Sequence, residues 1–479
     1  RVRFVPDGVN GTTGSISYRA WDQTSGATGS KVNPGAGGGT TAFSTNTNTA
    51  SITVTNVNDA PVLAPAAPGL IPLTENDVAN AGQTVASIVG TTITDADPGA
   101  LQGIAITGST NGNGQWQYSV DGGGTWQALG TASDASARLL RDTDRVRFVP
   151  DGVQGTSATL TYRAWDRSSG TAGSIGNAAS NGGSTAFSTT TNTASITVSD
   201  INDAPAFSGL GPVAHTEGGA PSVLGASATV TDPELAAANN YADATLTLAR
   251  NGGANAQDIF SATGLLGTLA EGGALVYNGT TVGTVTQNSA GTLVLSFNAS
   301  ATQARVNGVL QAIAYANGSD APPASVQIAW SLGDGNAGAQ GPGGVLTGSG
   351  STTVSITATN DAPVLAPFAP TLTSLVADQT NTAGQSVASI VGSSITDPDG
   401  IGLPYGIAIT STSSGNGTWE YNTGGGWTNV GAVSGASSLL LRSGDLLRFV
   451  PNGQDPTTAS LGYRAWDQTS GSAGNKVAT

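Results

Sequence analysis

Aspartates in short, repeated strings are the residues of this chain whose types and spacing could do chemistry. Asn-Asp-Ala-Pro occurs at Asn58, Asn202 and Asn360. Acids separated by one residue follow each string: Asp95/Asp97 in TDADP, Asp232/Glu234 in TDPE and Asp397/Asp399 in TDPDG. Tyr-Arg-Ala-Trp-Asp recurs with its acid at Asp22, Asp166 and Asp467. Of 31 acidic residues only Glu75, Glu217, Glu234, Glu271 and Glu420 are glutamates. Short carboxylates that favour turns suit loops that ligate hard cations through oxygen.

Other chemistries find little support. The net charge of −15 disfavours nucleic acid and anionic membrane as partners. With no Cys there are no disulfides, thiolate metal sites or Cys nucleophiles. His215 is the sole histidine, which leaves a zinc site or a Ser-His-Asp triad without members. Its place near the start of a repeat predicts solvent exposure. Paired carboxylates could suggest a glycosidase, but these recur in successive repeats at a turn, as a structural device does. The Gly-rich stretches 34–39 and 341–350 lack the Lys-Ser/Thr ending of a phosphate loop. No run reaches the ~18 apolar residues of a membrane span, so no membrane insertion is expected. Trp116/Trp126 and Trp419/Trp427 flank Gly-rich hairpins. Exposed, they could stack on surface glycans; the preferred reading is cross-strand aromatic packing without a ligand.

The elements that must hold these acids are repeated too. RVRFVPDGV starts at Arg1 and again at Arg145, and LLRFVPNG starts at Leu446. The NDAP spacings of 144 and 158 residues are domain-sized. They divide the chain into 1–60, the C-terminal part of a domain; 61–204, a complete domain; 205–362, a domain of a second subtype; and 363–479, a domain lacking its C-terminal strands. Neither end falls at an NDAP string, so the chain is expected to be a window on a longer array. Leu160, Tyr162 and Ala164 alternate with Thr161, Arg163 and Trp165, the period of half-buried strands. Asp7-Gly8, Asp121-Gly122 and Asp151-Gly152 mark turns. Thr302 to Ala314 is the one helical hint, with Val306, Leu310 and Ile313 on a common face. The expected fold is all-β: tandem immunoglobulin-like or cadherin-like β-sandwiches arranged end to end, with the Trp of YRAWD packed between sheets.

Ser199 to Pro205, SDINDAP, resembles the inter-domain linker of cadherins. The D-x-D pairs, the YRAWD aspartates, and Glu75 and Glu217 early in their domains resemble cadherin ligand motifs in matching order. Asp334 in LGDGN takes the YRAWD place in the second subtype, and Asp144-Arg145 resembles "DRE" without its last acid. Overall the chain is similar to the cadherin-like repeats of giant bacterial adhesins, including VCBS or biofilm-associated repeats. The resemblance implies Ca2+ at the junctions. Its candidate ligands are Glu75, Asp144, Asp200, Asn202, Asp203, Asp232, Glu234 and Asp334 at the second junction. Asn56, Asn58, Asp59, Asp95, Asp97 and Asp166 serve the first, and Glu217, Asn360, Asp361, Asp397, Asp399 and Asp467 the third. The leading linker position departs from the pattern: Asn56 is an amide, and around Ala358 there is no leading acid. Without metal such carboxylates repel one another, and a bound ion turns repulsion into a cross-link. The simple alternative is that NDAP and DPD are only turns.

The function expected is a non-enzymatic extracellular stalk on a bacterial surface or in a matrix, stiffened by calcium, for adhesion or biofilm cohesion. Its partners would be neighbouring domains and, in homotypic association, other copies. A self-associating surface filament or sheath, and an accessory region of a secreted glycan-active enzyme, are the alternatives.

Overall fold

The computed structural model describes residues 1–400, 402 and 404–479. They form two compact units: Arg1–Asp203 with Asn336–Gly344, and Ala204–Gly335 with Val345–Thr479. The fold is all-β, in tandem sandwiches. Among the described residues no helix is long and apolar enough to cross a membrane.

In the first unit Thr12–Tyr18 pairs antiparallel with Asn48–Val54, from Thr12↔Val54 to Tyr18↔Asn48. A sandwich follows. One sheet runs in the order Ile175–Gly176, Ala137–Arg141, Gly103–Thr110, Thr156–Trp165, Asn192–Ser199, Leu73–Thr74. The facing sheet runs Gln83–Thr84, Arg145–Pro150, Gly114–Ser119, Gln127–Ala128. Every second residue of Asn192–Ser199 is buried, so period-2 patterning places Ala194, Ile196 and Val198 in the core with Leu160 and Tyr162. Trp116 and Phe148 are opposite in register and meet edge-on at 5.2 Å. Trp419 and Phe449 repeat this at 5.3 Å in the second unit.

Trp165 corrects an expectation. It lies outside the inter-sheet core, in a separate cluster with Ala105, Ala137, Leu139, Ala178, Ala186 and Phe187. Strand alternation explains this, since Tyr162 and Ala164 face inward and Trp165, one residue on, faces outward. The connection after Trp165 folds back across that outer face. It accepts the indole N–H at the Ser169 carbonyl, 2.7 Å away, and bridges Phe187 to Trp165.

In the second unit one sheet runs Val213–Thr216, Thr347–Thr357, Ser325–Gly333, Thr245–Arg250, Thr292–Phe297, Thr280–Ser289, Ala274–Tyr277. It faces Ser222–Val223, Ile313–Asn317 and Asp258–Ala262 across a core holding Tyr241, Tyr315 and Trp330. The helical hint is Gln303–Leu310, capped by the Thr302 hydroxyl. It ends before Ile313, which belongs to a strand. A last sandwich pairs Ser460–Trp466, Gly406–Ser413, Ser438–Arg442 and Lys476–Val477 over Gln385–Ser386, Leu446–Pro451, Gly417–Asn422 and Thr428–Asn429.

His215 is 2% exposed, contrary to its expected place in solvent. Its strand Val213–Thr216 is wedged parallel to Thr347–Thr357, and the ring meets Tyr315 edge-on. Nε2 lies 3.3 Å from the Asn317 N–H, which donates to it, so this nitrogen must be unprotonated. Burial lowers the His215 pKa below its ordinary 6.5. The folded chain therefore binds fewer protons than the unfolded one. Stability from this site is complete above pH 6.5 and is lost as pH falls through the lower folded value. Calorimetry from neutral to mildly acid pH is expected to show the second unit losing stability in this window, with His215→Gln removing that part of the slope. The core makes a second expectation. Phe148→Ala costs about 3–5 kcal/mol in the first unit, read by denaturant unfolding.

Candidate cation-binding junctions

Parallel strand pairing positions the early glutamates. Val198↔Leu73 and Ser199↔Thr74 are in register, and Glu75 continues the ladder with its N–H on the Ser199 carbonyl at 3.0 Å. Its side chain then meets the linker: Oε1 accepts the Ile201 N–H at 2.9 Å, while Oε2 is buried with no hydrogen-bond partner. Glu217 repeats the arrangement. Its N–H donates to the Thr357 carbonyl, Oε2 accepts the Thr359 N–H at 2.8 Å, and Oε1 is buried without a partner.

At the first linker Asn58 donates Nδ2–H to Asp166 Oδ2 at 2.8 Å and to the Thr185 carbonyl at 3.2 Å. The Asp59 N–H donates to Asp97 Oδ2 at 2.8 Å, and Asn56 Nδ2 donates to Asp97 Oδ1 at 2.6 Å. Asp97 in turn donates its N–H to Asp95 Oδ1 at 2.9 Å. Asp95 Oδ2 is a buried atom without a partner. Burial pushes the Asp95 carboxyl up, and the nearby Asp166, Asp97 and Asp59 push it further. Hydrogen bonds from Asn56 and Asp59 hold Asp97 below the usual range.

The third linker is wired alike. Asn360 Nδ2 donates to Asp467 Oδ2 at 2.8 Å, the Asp361 N–H to Asp399 Oδ2 at 3.0 Å, and the Asp399 N–H to Asp397 Oδ1 at 3.0 Å. Glu217, Asp320 and Asp361 offer carboxylate oxygens within 4.8 Å of one another. A cleft of about 370 Å³ lies beside them, lined by Asp320, Ala321, Pro322, Ala358, Thr359, Asn360 and Asp399. Asp320 escaped the sequence reading. It is the only acid between the helix Gln303–Leu310 and the strand Ser325–Gly333, and that isolation in an SDAPP turn was the available signal.

The second-junction candidates fall in two groups. In the first unit Glu75 stands with Asp200 and Asp203; burial raises its carboxyl, and these two acids raise it further. Asp200 Oδ1 accepts the Gly155 N–H, and Asn202 Nδ2 donates to the Gly344 carbonyl at 2.9 Å. In the second unit Asp232 caps the helix Pro233–Ala238, Asp334 receives the Leu346 N–H on both oxygens, and Glu234 is buried. Burial raises the Asp232 carboxyl, and Asp334 adds to this.

Asp144 is held in its own turn. Its carboxylate receives the Arg141 N–H at 2.7 Å and the Arg141 guanidinium at 2.7 Å, in the turn between Ala137–Arg141 and Arg145–Pro150. That ion pair satisfies the group locally. The tryptophans of the Gly-rich hairpins are packed, as the preferred reading expects. Trp116 and Trp419 are 2% and 4% exposed, and the half-buried Trp126 and Trp427 are stacked by Arg147 and Arg448 at 4.2 and 4.0 Å.

These carboxylates fit a cation on two grounds. The donor set is all oxygen, and fully buried carboxylate oxygens point into it without a hydrogen bond. No protein-family model and no curated protein sequence matches the chain. Among solved structures it is similar to protocadherin gammaB7 EC3-6, at 14% identity and a TM-score of 0.33 over 90% of this chain and 79% of that one. It is similar to human CDH23 EC21-23 at 12% identity and a TM-score of 0.33, covering 85% and 99%. For the human desmocollin-1 ectodomain the values are 11%, 0.24, 88% and 63%. Identities this low leave function to be argued from this chain's own residues.

Raised carboxyls make a metal-free stability test. Glu75, Asp95 and Asp232 lie above their ordinary 4.5, 3.8 and 3.8 in the fold. Each contributes stability below its unfolded value that is lost as pH rises through the folded one. In chelator, melting temperature is expected to fall as pH rises out of this acid window. Glu75→Gln with Asp95→Asn is expected to flatten that fall.

Proposed function

We propose that this chain is a non-enzymatic extracellular stalk of the tandem modules 1–60, 61–204, 205–362 and 363–479, whose junctions are fixed by calcium for cell-surface adhesion or matrix cohesion. One observation carries the reading: Glu217 has a buried, unpartnered oxygen, and its carboxylate lies within ligand-sharing distance of those of Asp320 and Asp361. A lone turn has no use for three carboxylates gathered so closely, because like charges so placed repel strongly. Asn360, Asp397, Asp399 and Asp467 would complete the third site; Asn58, Asp59, Asp95, Asp97 and Asp166 would hold the ion at the first. Bound calcium supplies the positive charge that makes the group cohesive. The residues themselves are pre-positioned by backbone N–H donors, so little ordering remains to be done on binding.

Isothermal titration of the full chain with calcium tests this. Saturable binding is expected, and Glu217→Gln should weaken the third site about tenfold or more, ~1.4 kcal/mol or more. In chelator the same substitution is expected to raise the melting temperature, because it removes a buried charge. Absence of saturable calcium binding sinks the reading.

A further inference from the structure

The residue that leads the linker differs between the first two linkers while its surroundings are built alike. Val54 ends a strand, and two residues later Asn56 lies against Gly11, the last residue of the DGVNG turn. A Cβ on Gly11 would stand 2.6 Å from the Asn56 nitrogen and 2.9 Å from the Val54 carbonyl oxygen. Only glycine lets the turn approach this closely. Gly155, which ends the DGVQG turn, has the same relation to Asp200, with a Cβ 2.7 Å from its nitrogen. Both glycines donate their N–H to the linker side chain, to Asn56 Oδ1 at 3.0 Å and to Asp200 Oδ1. So far amide and carboxylate are equivalent, since both are acceptors.

They differ in the second atom. Asn56 spends its oxygen on Gly11 and its Nδ2–H on Asp97 Oδ1, 2.6 Å away in the TDADP loop. One exposed side chain thus ties the turn of the N-terminal hairpin to the top of the following sandwich. A carboxylate there has no hydrogen to give, and would set a second negative charge against Asp97. Ala358, at the same place in the third linker, can make neither bond, and an open cleft lies beside it.

We infer that Asn56 is a metal-independent clasp, which keeps the first junction coupled where the third needs its cation. The identity of the leading linker residue then sets, junction by junction, how far coupling depends on calcium. This rests on the proposed calcium reading for the behaviour of the third junction, but not for that of the first. Asp97, already supplied with N–H from Asn56 and Asp59, needs less from an ion than Asp95 beside it.

The chain has no cysteine, so spin labels sit only where cysteines are introduced. One pair, Ser51→Cys with Thr131→Cys, reports the first junction; Thr353→Cys with Ala432→Cys reports the third at equivalent positions. All four are exposed. Dipolar distance distributions in the full chain are expected to stay narrow for the first pair in both calcium and chelator. With Asn56→Asp or Asn56→Ala the narrow first-pair distribution should be lost in chelator. Asn56 is exposed, so neither change disturbs a core. A first pair that broadens in chelator in the native chain, or stays narrow in both variants, overturns the clasp. The third pair separates the two ideas. If it ignores calcium while the first pair behaves as stated, the calcium reading fails and the clasp stands.

Discussion

Carboxylate oxygens crowded at a linker must be met by N–H donors or by positive charge, and the ends of these sandwiches are arranged around that demand. Most of it is met by the backbone. The N–H of Asp59 serves Asp97, that of Asp97 serves Asp95, and Asp361, Asp399 and Asp397 repeat the chain. Each bond fixes a carboxylate without neutralising it. The oxygens left over, on Asp95, Glu75 and Glu217, are buried and unpartnered. A buried carboxylate in that condition either takes up a proton or gains a cation. Burial displaces the Asp95 and Glu75 carboxyls upward, which favours the first option where no cation is bound.

The sandwich supplies the geometry. A short early strand, Leu73–Thr74 or Val213–Thr216, runs parallel to the last strand of the same module, which is the strand that feeds the linker. Parallel pairing carries the residue after that strand to the start of the linker, so a single glutamate at position 75 or 217 is delivered there by register alone. The D-x-D loops and YRAWD aspartates come from the opposite end of the next module, where turn geometry and an Asn side chain hold them. The arrangement therefore needs few specific residues, because strand order does most of the positioning. Variation is then concentrated in the linker's leading residue and the turn beneath it, where Asn56, Asp200, Ala358 and Asp320 differ.

Where the sequence reading failed, an unseen layer was responsible. Trp165 obeyed strand alternation and so faced outward, yet it is buried because a long connection folds over that face. The same blindness applied to His215. A polar residue on a short strand looks exposed until the strand is wedged between its partner and Tyr315.

The repeated strings by themselves determined the all-β class, the strand periodicity and most of the acidic residues gathered at the linkers, because alternation and turn chemistry are local properties. They also exposed the irregular leading residues Asn56 and Ala358. Only the tertiary structure decided which groups meet: it brought Asp320 to Glu217 and Asp361, paired Asp144 with Arg141, and gave Asn56 two partners 45 and 41 residues away. Such meetings depend on strand order and loop path, and no short window of sequence contains either.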